Sequence, residues 1–193
     1  MYALAKSGKT RDDLHWGSVI YLENSSTSLR FPRDRQLTIY GSPMTPQYGN
    51  WVFQYPRIRD VWRDTIPDGT DILLTHGPPR GHLDTVYGRA QGCEHLLREL
   101  WRVKDKALKL AVFGHIHESY GRETLCFDSV QRHLEESLSG KLGFLGLLRM
   151  ALMWLVGRSG IWLPLTPRIT LVNAAHKIYG RSTEGREPVI VYL

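Results

Sequence analysis

The chain has 193 residues, 42% of them hydrophobic and 23% charged, with a formal net charge of +6 and a pI near 9.4. That length and balance describe one soluble domain with a sizeable core and exclude a disordered or fibrous chain. The basic residues are scattered, with no run of five, so the charge favours anions mildly and carries no specific nucleic-acid signature.

Met1–Thr10 lacks the apolar core of a signal peptide. The two cysteines, Cys93 and Cys126, form neither a CxxC pair nor a disulfide framework. An intracellular, cytoplasmic setting is therefore expected. Short β-type runs come first, at Val19–Leu22, Leu29–Phe31 and Leu37–Tyr40, parted by the turn-forming Asn-Ser-Ser and Pro-Arg-Asp-Arg segments. A Gly/Pro loop, Gly41–Pro46, leads to Gly49-Asn50-Trp51. In Pro56–Ile66 the spacing of Ile58, Val61, Trp62 and Ile66 predicts a short amphipathic helix. Asp71–Thr75 reads as a buried strand ending in His76-Gly77-Pro78-Pro79. A helix fits Gly92–Val103, and Leu108–Phe113 reads as a second buried strand ending in Gly114-His115-Ile116-His117. Strands are expected again at Ile169–Val172 and Val189–Leu193. Trp51, Trp62 and Trp101 read as core aromatics.

The alternation of strand, His loop, helix, strand and His loop predicts an α/β fold. One segment departs from it: 128–162 reads as a helical insertion, very apolar over 142–156, with Arg149 inside that run and Lys141 and Arg158 flanking it. Three readings stay open for 142–156: a helix packed on the domain or a protein partner, an interfacial helix on a membrane surface, or a transmembrane span.

The chemistry is concentrated at the strand ends. In open α/β sheets, ligands gather beyond the carboxyl ends of the strands. His76 follows one such end, and His115 and His117 follow another. Neutral imidazole is the commonest protein metal ligand. If the backbone stays extended, His115 and His117 point to one side. Gly114 admits close approach, and Gly77-Pro78-Pro79 holds its loop in a non-helical path. Arg80, His82 and Asp84 follow that loop and are candidates to meet a phosphate. Ser7-Gly8-Lys9-Thr10 echoes the end of a P-loop but lacks its first Gly and preceding strand.

Leu74–Pro79 and Val112–Glu118 resemble the last two metal motifs of the calcineurin-like metallophosphoesterases, and most nearly those of the metallophosphoesterase-domain-containing subgroup. Gly41-Ser42-Pro43 through Trp51, Gly92-Cys93, Tyr120-Gly121 and Leu171–Ala175 resemble the subgroup as well. The resemblance runs from Tyr21 to the C-terminus, apart from 128–162, and covers the C-terminal half of that domain. It implies a partial αββα sandwich, with residues 1–193 as a single domain missing its N-terminal βαβ units. It also implies a dinuclear site hydrolysing phosphate esters, as a phosphodiesterase or phosphomonoesterase, with Mn, Fe or Zn ions. His76 and His115 would bind one ion and His117 the other, with Arg80, His82 and Asn173 as candidate substrate contacts and His176 on a nearby loop.

The family's acidic motifs are missing in context. Asp13-Leu14-His15 spells Asp-x-His but follows no buried strand, and Gly49-Asn50-Trp51 lacks the following His. Three imidazoles can complete one tetrahedral Zn²⁺ with an open position, but not two ions joined by a carboxylate. One ion or none is therefore expected, with hydrolysis impaired or absent in this chain. A sheet edge left exposed by the missing units is also expected. The alternative is a non-catalytic remnant that binds a partner or a membrane surface through 142–156.

Overall fold

The computed structural model describes residues 14–50, 52–138, 140, 146, 148, 151, 152, 155, 166–176 and 185–193. Its main sheet holds six strands in the spatial order β1 (Ser25–Phe31), β2 (Arg35–Ser42), β5 (Ile72–Thr75), β8 (Leu110–Phe113), β10 (Arg168–Asn173) and β9 (Gly121–Cys126). The four middle strands are mutually parallel, while β1 and β9 form antiparallel edges. Two ribbons accompany the sheet: β3 (Thr45–Pro46) with β4 (Gln54–Tyr55), and β6 (Thr85–Val86) with β7 (Arg89–Ala90). The helices are α1 (Glu94–Val103) and α2 (Ser129–Leu138). This is an α/β fold on a mixed sheet. Where the resemblance implies a sandwich, the described residues hold one large sheet and two short ribbons.

Helix α1 makes the core. Cys93 caps it, its sulfur accepting from the Leu96 amide at 3.3 Å, with Glu94 in the first turn and Arg102 in the last. Leu96, Leu97, Leu100 and Val103 recur at helical spacing and are buried against Leu73, Ala111, Phe113, Ile169 and Leu171 of the sheet. Each such side chain contributes about 1.5–3 kcal/mol by leaving water. Gly92, just before the cap, is required by contact: a Cβ there would collide with the Pro79 carbonyl. That close approach, together with the Pro79–Cys93 bridge, ties the loop after β5 to the start of α1.

Three expected elements are corrected. Pro56–Ile66 forms turns, not a helix, and Ile58 is 91% exposed. The amides a helix would use are taken by carboxylates: Asp60 accepts from Trp62 and Arg63, and buried Glu99 accepts from Asp64 and Ile66. Trp62 still reaches the core, and its indole N–H donates to Tyr55 Oη at 2.9 Å. Val19–Leu22 is not a strand; Trp16 stacks on Tyr21, and the Val19 amide turns back to the Trp16 carbonyl. Val189–Leu193 is not a strand either. Both flanks of β10 are already filled by β8 and β9, and the tail's carbonyls take arginine side chains instead, Arg122 at Ile190 and Arg35 at Leu193.

Conversely, β9 forms where no strand was expected. Trp101 is half-buried against the core, edge-on to Phe127. Trp51, Asp13, the Ser7–Thr10 segment and most of 142–156 lie outside the described residues. Residues 146, 148, 151, 152 and 155 are helical. No helix among the described residues is long and apolar enough to cross a membrane.

Candidate metal centre

Parallel neighbours β5 and β8 lie about 4.8 Å apart, so the residues just beyond their carboxyl ends fall together. Leu74 pairs with Val112 in the register, and the Gly114 amide donates to the His76 carbonyl at 3.1 Å. That bond aligns the two histidine loops. His76 Nε2 and His115 Nδ1 are 3.1 Å apart, although 39 residues separate them in sequence. Their rings tilt at 50° with centroids 4.7 Å apart.

The backbone that achieves this is not extended. His115 sits in the left-handed region at φ 70°, and His117 opens a 3₁₀ turn, His117–Ser119. The expected same-side alternation of residues 115 and 117 therefore does not operate. A non-glycine residue in that region costs about 1–2 kcal/mol. Gly114 meets the Ala175 backbone only at ordinary contact, 3.9 Å, so the strained position is the histidine and not the glycine beside it.

Both imidazoles are held towards the neutral form. His115 is pushed down by desolvation, then by the charges of His76, His117 and Arg57; His76 is pushed down by desolvation. Neutral rings are the metal-ligating and proton-accepting form. A Zn–N bond of about 2.0–2.1 Å sets two nitrogens about 3.4 Å apart on a tetrahedral ion and about 2.9 Å apart on an octahedral one. The observed 3.1 Å falls between these values. The pair therefore fits two ligands of one ion, and equally one N–H···N hydrogen bond. Among the described residues no three His, Cys, Asp or Glu side chains converge as a metal-holding group.

His115 and His117 line a cavity of about 200 Å³ whose wall also carries Arg57 and Glu118. Neither was singled out from the sequence. Arg57 lies in the failed helix, and its guanidinium is steadied by the carbonyl of Gln91 at 3.0 Å. No sequence spacing signals that encounter. Glu118 follows the second histidine loop directly and is the one carboxylate on the cavity wall among the described residues.

The residues expected to meet substrate lie elsewhere. His82 is buried between Glu123 at 2.6 Å and Glu135 at 3.2 Å. Burial alone would push its imidazole down, but the two carboxylates outweigh it and raise its pKa to about 9. Asn173 is fully buried; its amide donates to the carbonyls of Ile116 and Leu83 and accepts from the Ala175 amide. It thereby clamps the loops carrying His82 and His117. Asp84 is spent on the amides of Gly81 and Gly92. Arg80 lines a separate cavity, and His176 is exposed and packs against Gly185.

No family model matches the chain. It is 45% identical over 107 residues to the human Metallophosphoesterase domain-containing protein 1, covering 53% of this chain and 30% of that protein. It is 42% identical over 125 residues to a UPF0046 protein of Caenorhabditis elegans, covering 62% of this chain and 29% of that protein. It is 39% identical over 184 residues to the Probable rhamnogalacturonate lyase C of Emericella nidulans, covering 95% of this chain and 17% of that protein. The chain thus spans between 17% and 30% of the length of these relatives. Over about half of its residues, this chain is similar to Metallophosphoesterase domain-containing protein 1 of human and mouse.

Proposed function

We propose that the chain carries the imidazole side of a metal-dependent site for hydrolysing phosphate esters, and that catalysis by this chain is impaired or absent. The observation that carries this reading is the approach of His76 to His115 at the carboxyl edge of two parallel strands. These two residues would hold one divalent ion, Mn, Fe or Zn. Such an ion supplies an activated water and polarises a phosphoryl oxygen. Arg57 offers a fixed cation to the ester's anionic oxygens on the same cavity wall. Impairment follows from the donor set. Two neutral imidazoles and a wall with the single carboxylate of Glu118 leave a divalent ion short of anionic ligands. The name of the human and mouse relatives, Metallophosphoesterase domain-containing protein 1, supports the phosphoesterase reading. The lyase is matched over 17% of its length, and its activity is not carried over.

Purified protein assayed on a chromogenic phosphodiester with added Mn²⁺ is expected to turn over slowly, and His115→Ala to remove that rate. Measurable turnover that is equal and metal-independent in both proteins would sink the reading. Three leucines favour a second reading, non-catalytic docking. Leu148, Leu152 and Leu155 are helical, spaced along one helix face, and 52%, 60% and 58% exposed. Deleting 142–156 is then expected to abolish co-sedimentation with anionic liposomes. Retained binding would rule out the membrane form of that reading.

A further inference from the structure

A larger cavity, of about 770 Å³, opens between α1, the β6–β7 ribbon and α2. None of His76, His115 and His117 lines it. Its volume lies within the roughly 300–1,000 Å³ typical of small-molecule sites. Four arginines reach its wall from four different segments: Arg80 from the loop after β5, Arg89 from β7, Arg98 from α1 and Arg132 from α2.

The charges on this wall are unequally engaged. Glu135 is taken up by His82, Gln131 and the Trp101 indole, and Asp84 by two backbone amides. Arg98 is engaged by His95 at 3.0 Å and by Glu94 at 3.8 Å, Arg132 lies over the Trp101 ring at 4.6 Å, and Glu136, also engaged, completes the four carboxylates of the wall. Among the described residues, the side chains of Arg80 and Arg89 have no hydrogen-bond or ion-pair partner. Two solvent-accessible arginines, each with five guanidinium donors, thus line the cavity without a protein partner among the described residues. Beside them stands an apolar wall made by Leu97 and Trp101.

We propose that this cavity binds an organic anion, its phosphate or carboxylate held by Arg80 and Arg89 and its planar or apolar body resting on Leu97 and Trp101. Guanidinium matches either oxyanion through paired N–H donors, and it pairs such anions better than ammonium does. The site is independent of the metal reading.

The test is calorimetric titration of the full chain with 1-naphthyl phosphate in EDTA, so that no divalent ion can recruit the anion to the imidazoles. Saturable binding is expected. Arg80→Gln and Arg89→Gln are each expected to weaken it about 10–100-fold, the range for loss of one charge-assisted bond. Arg57→Gln and His115→Ala are expected to leave it unchanged. Inorganic phosphate should bind at least 10-fold more weakly, since it lacks the apolar body. Absence of saturable binding overturns the proposal, as does binding sensitive to Arg57→Gln but not to Arg80→Gln. Equal affinity for inorganic phosphate overturns the role of Leu97 and Trp101.

Discussion

Alanine at position 76 or 115 is expected to weaken Zn²⁺ binding by 100-fold or more, read by competition with a chromogenic chelator. Loss of a mere outer partner of a metal ligand already costs about 10–100-fold. Here the two nitrogens 3.1 Å apart are the only pair of ring nitrogens in contact that the geometry offers to one ion among the described residues. His117→Ala is expected to do less, because the 3₁₀ turn carries His117 and the 3.1 Å nitrogen contact is between residues 76 and 115. His115→Gly separates metal loss from misfolding. Glycine adopts φ 70° without strain, so that variant should be at least as stable as the parent while losing the metal. Equal losses in the 115 and 117 variants, or none in either, would contradict a shared ion between residues 76 and 115.

Folding stability is expected to fall by on the order of 3 kcal/mol between pH 6.5 and about 9, most of it through His82, since each unit of pKa shift is worth about 1.4 kcal/mol. The sign follows from linkage. The folded pKa, about 9, lies above the ordinary 6.5, so the folded state holds the proton more tightly than the unfolded chain. The contribution is complete below 6.5 and is lost as pH rises through the folded value. Beneath this lies an ion triad in which one imidazolium joins β9, through Glu123, to α2, through Glu135. Urea midpoints measured across this range should decline in the parent and stay flat in His82→Gln. Cys93, whose thiol is pushed up by burial, adds its own decline only above its ordinary value of 9.0. The same slope in both proteins would refute the triad's role.

How much of this was legible beforehand differs by element. The apolar runs that became β5 and β8 are local signals, as is the helical period of Leu96, Leu97, Leu100 and Val103. The histidines were readable because they stand directly after those runs, and strand ends in an α/β sheet are where loops gather. The turn at 56–66 was not readable. Its apolar spacing is helical, yet Glu99, 35 residues from Asp64, takes the amides that a helix would need.

By itself, the sequence determined the parallel-strand core, its covering helix and the two loops that present imidazole, since hydrophobic periodicity acts over a few residues. Tertiary structure alone decided which polar groups meet. It set His76 against His115 and brought Arg57 to their cavity. It buried His82 between carboxylates 41 and 53 residues away, and set Arg80 and Arg89 together on the wall of the larger cavity. Those pairings depend on strand order and on loops folding back over the sheet. Spacing along the chain carries no record of either.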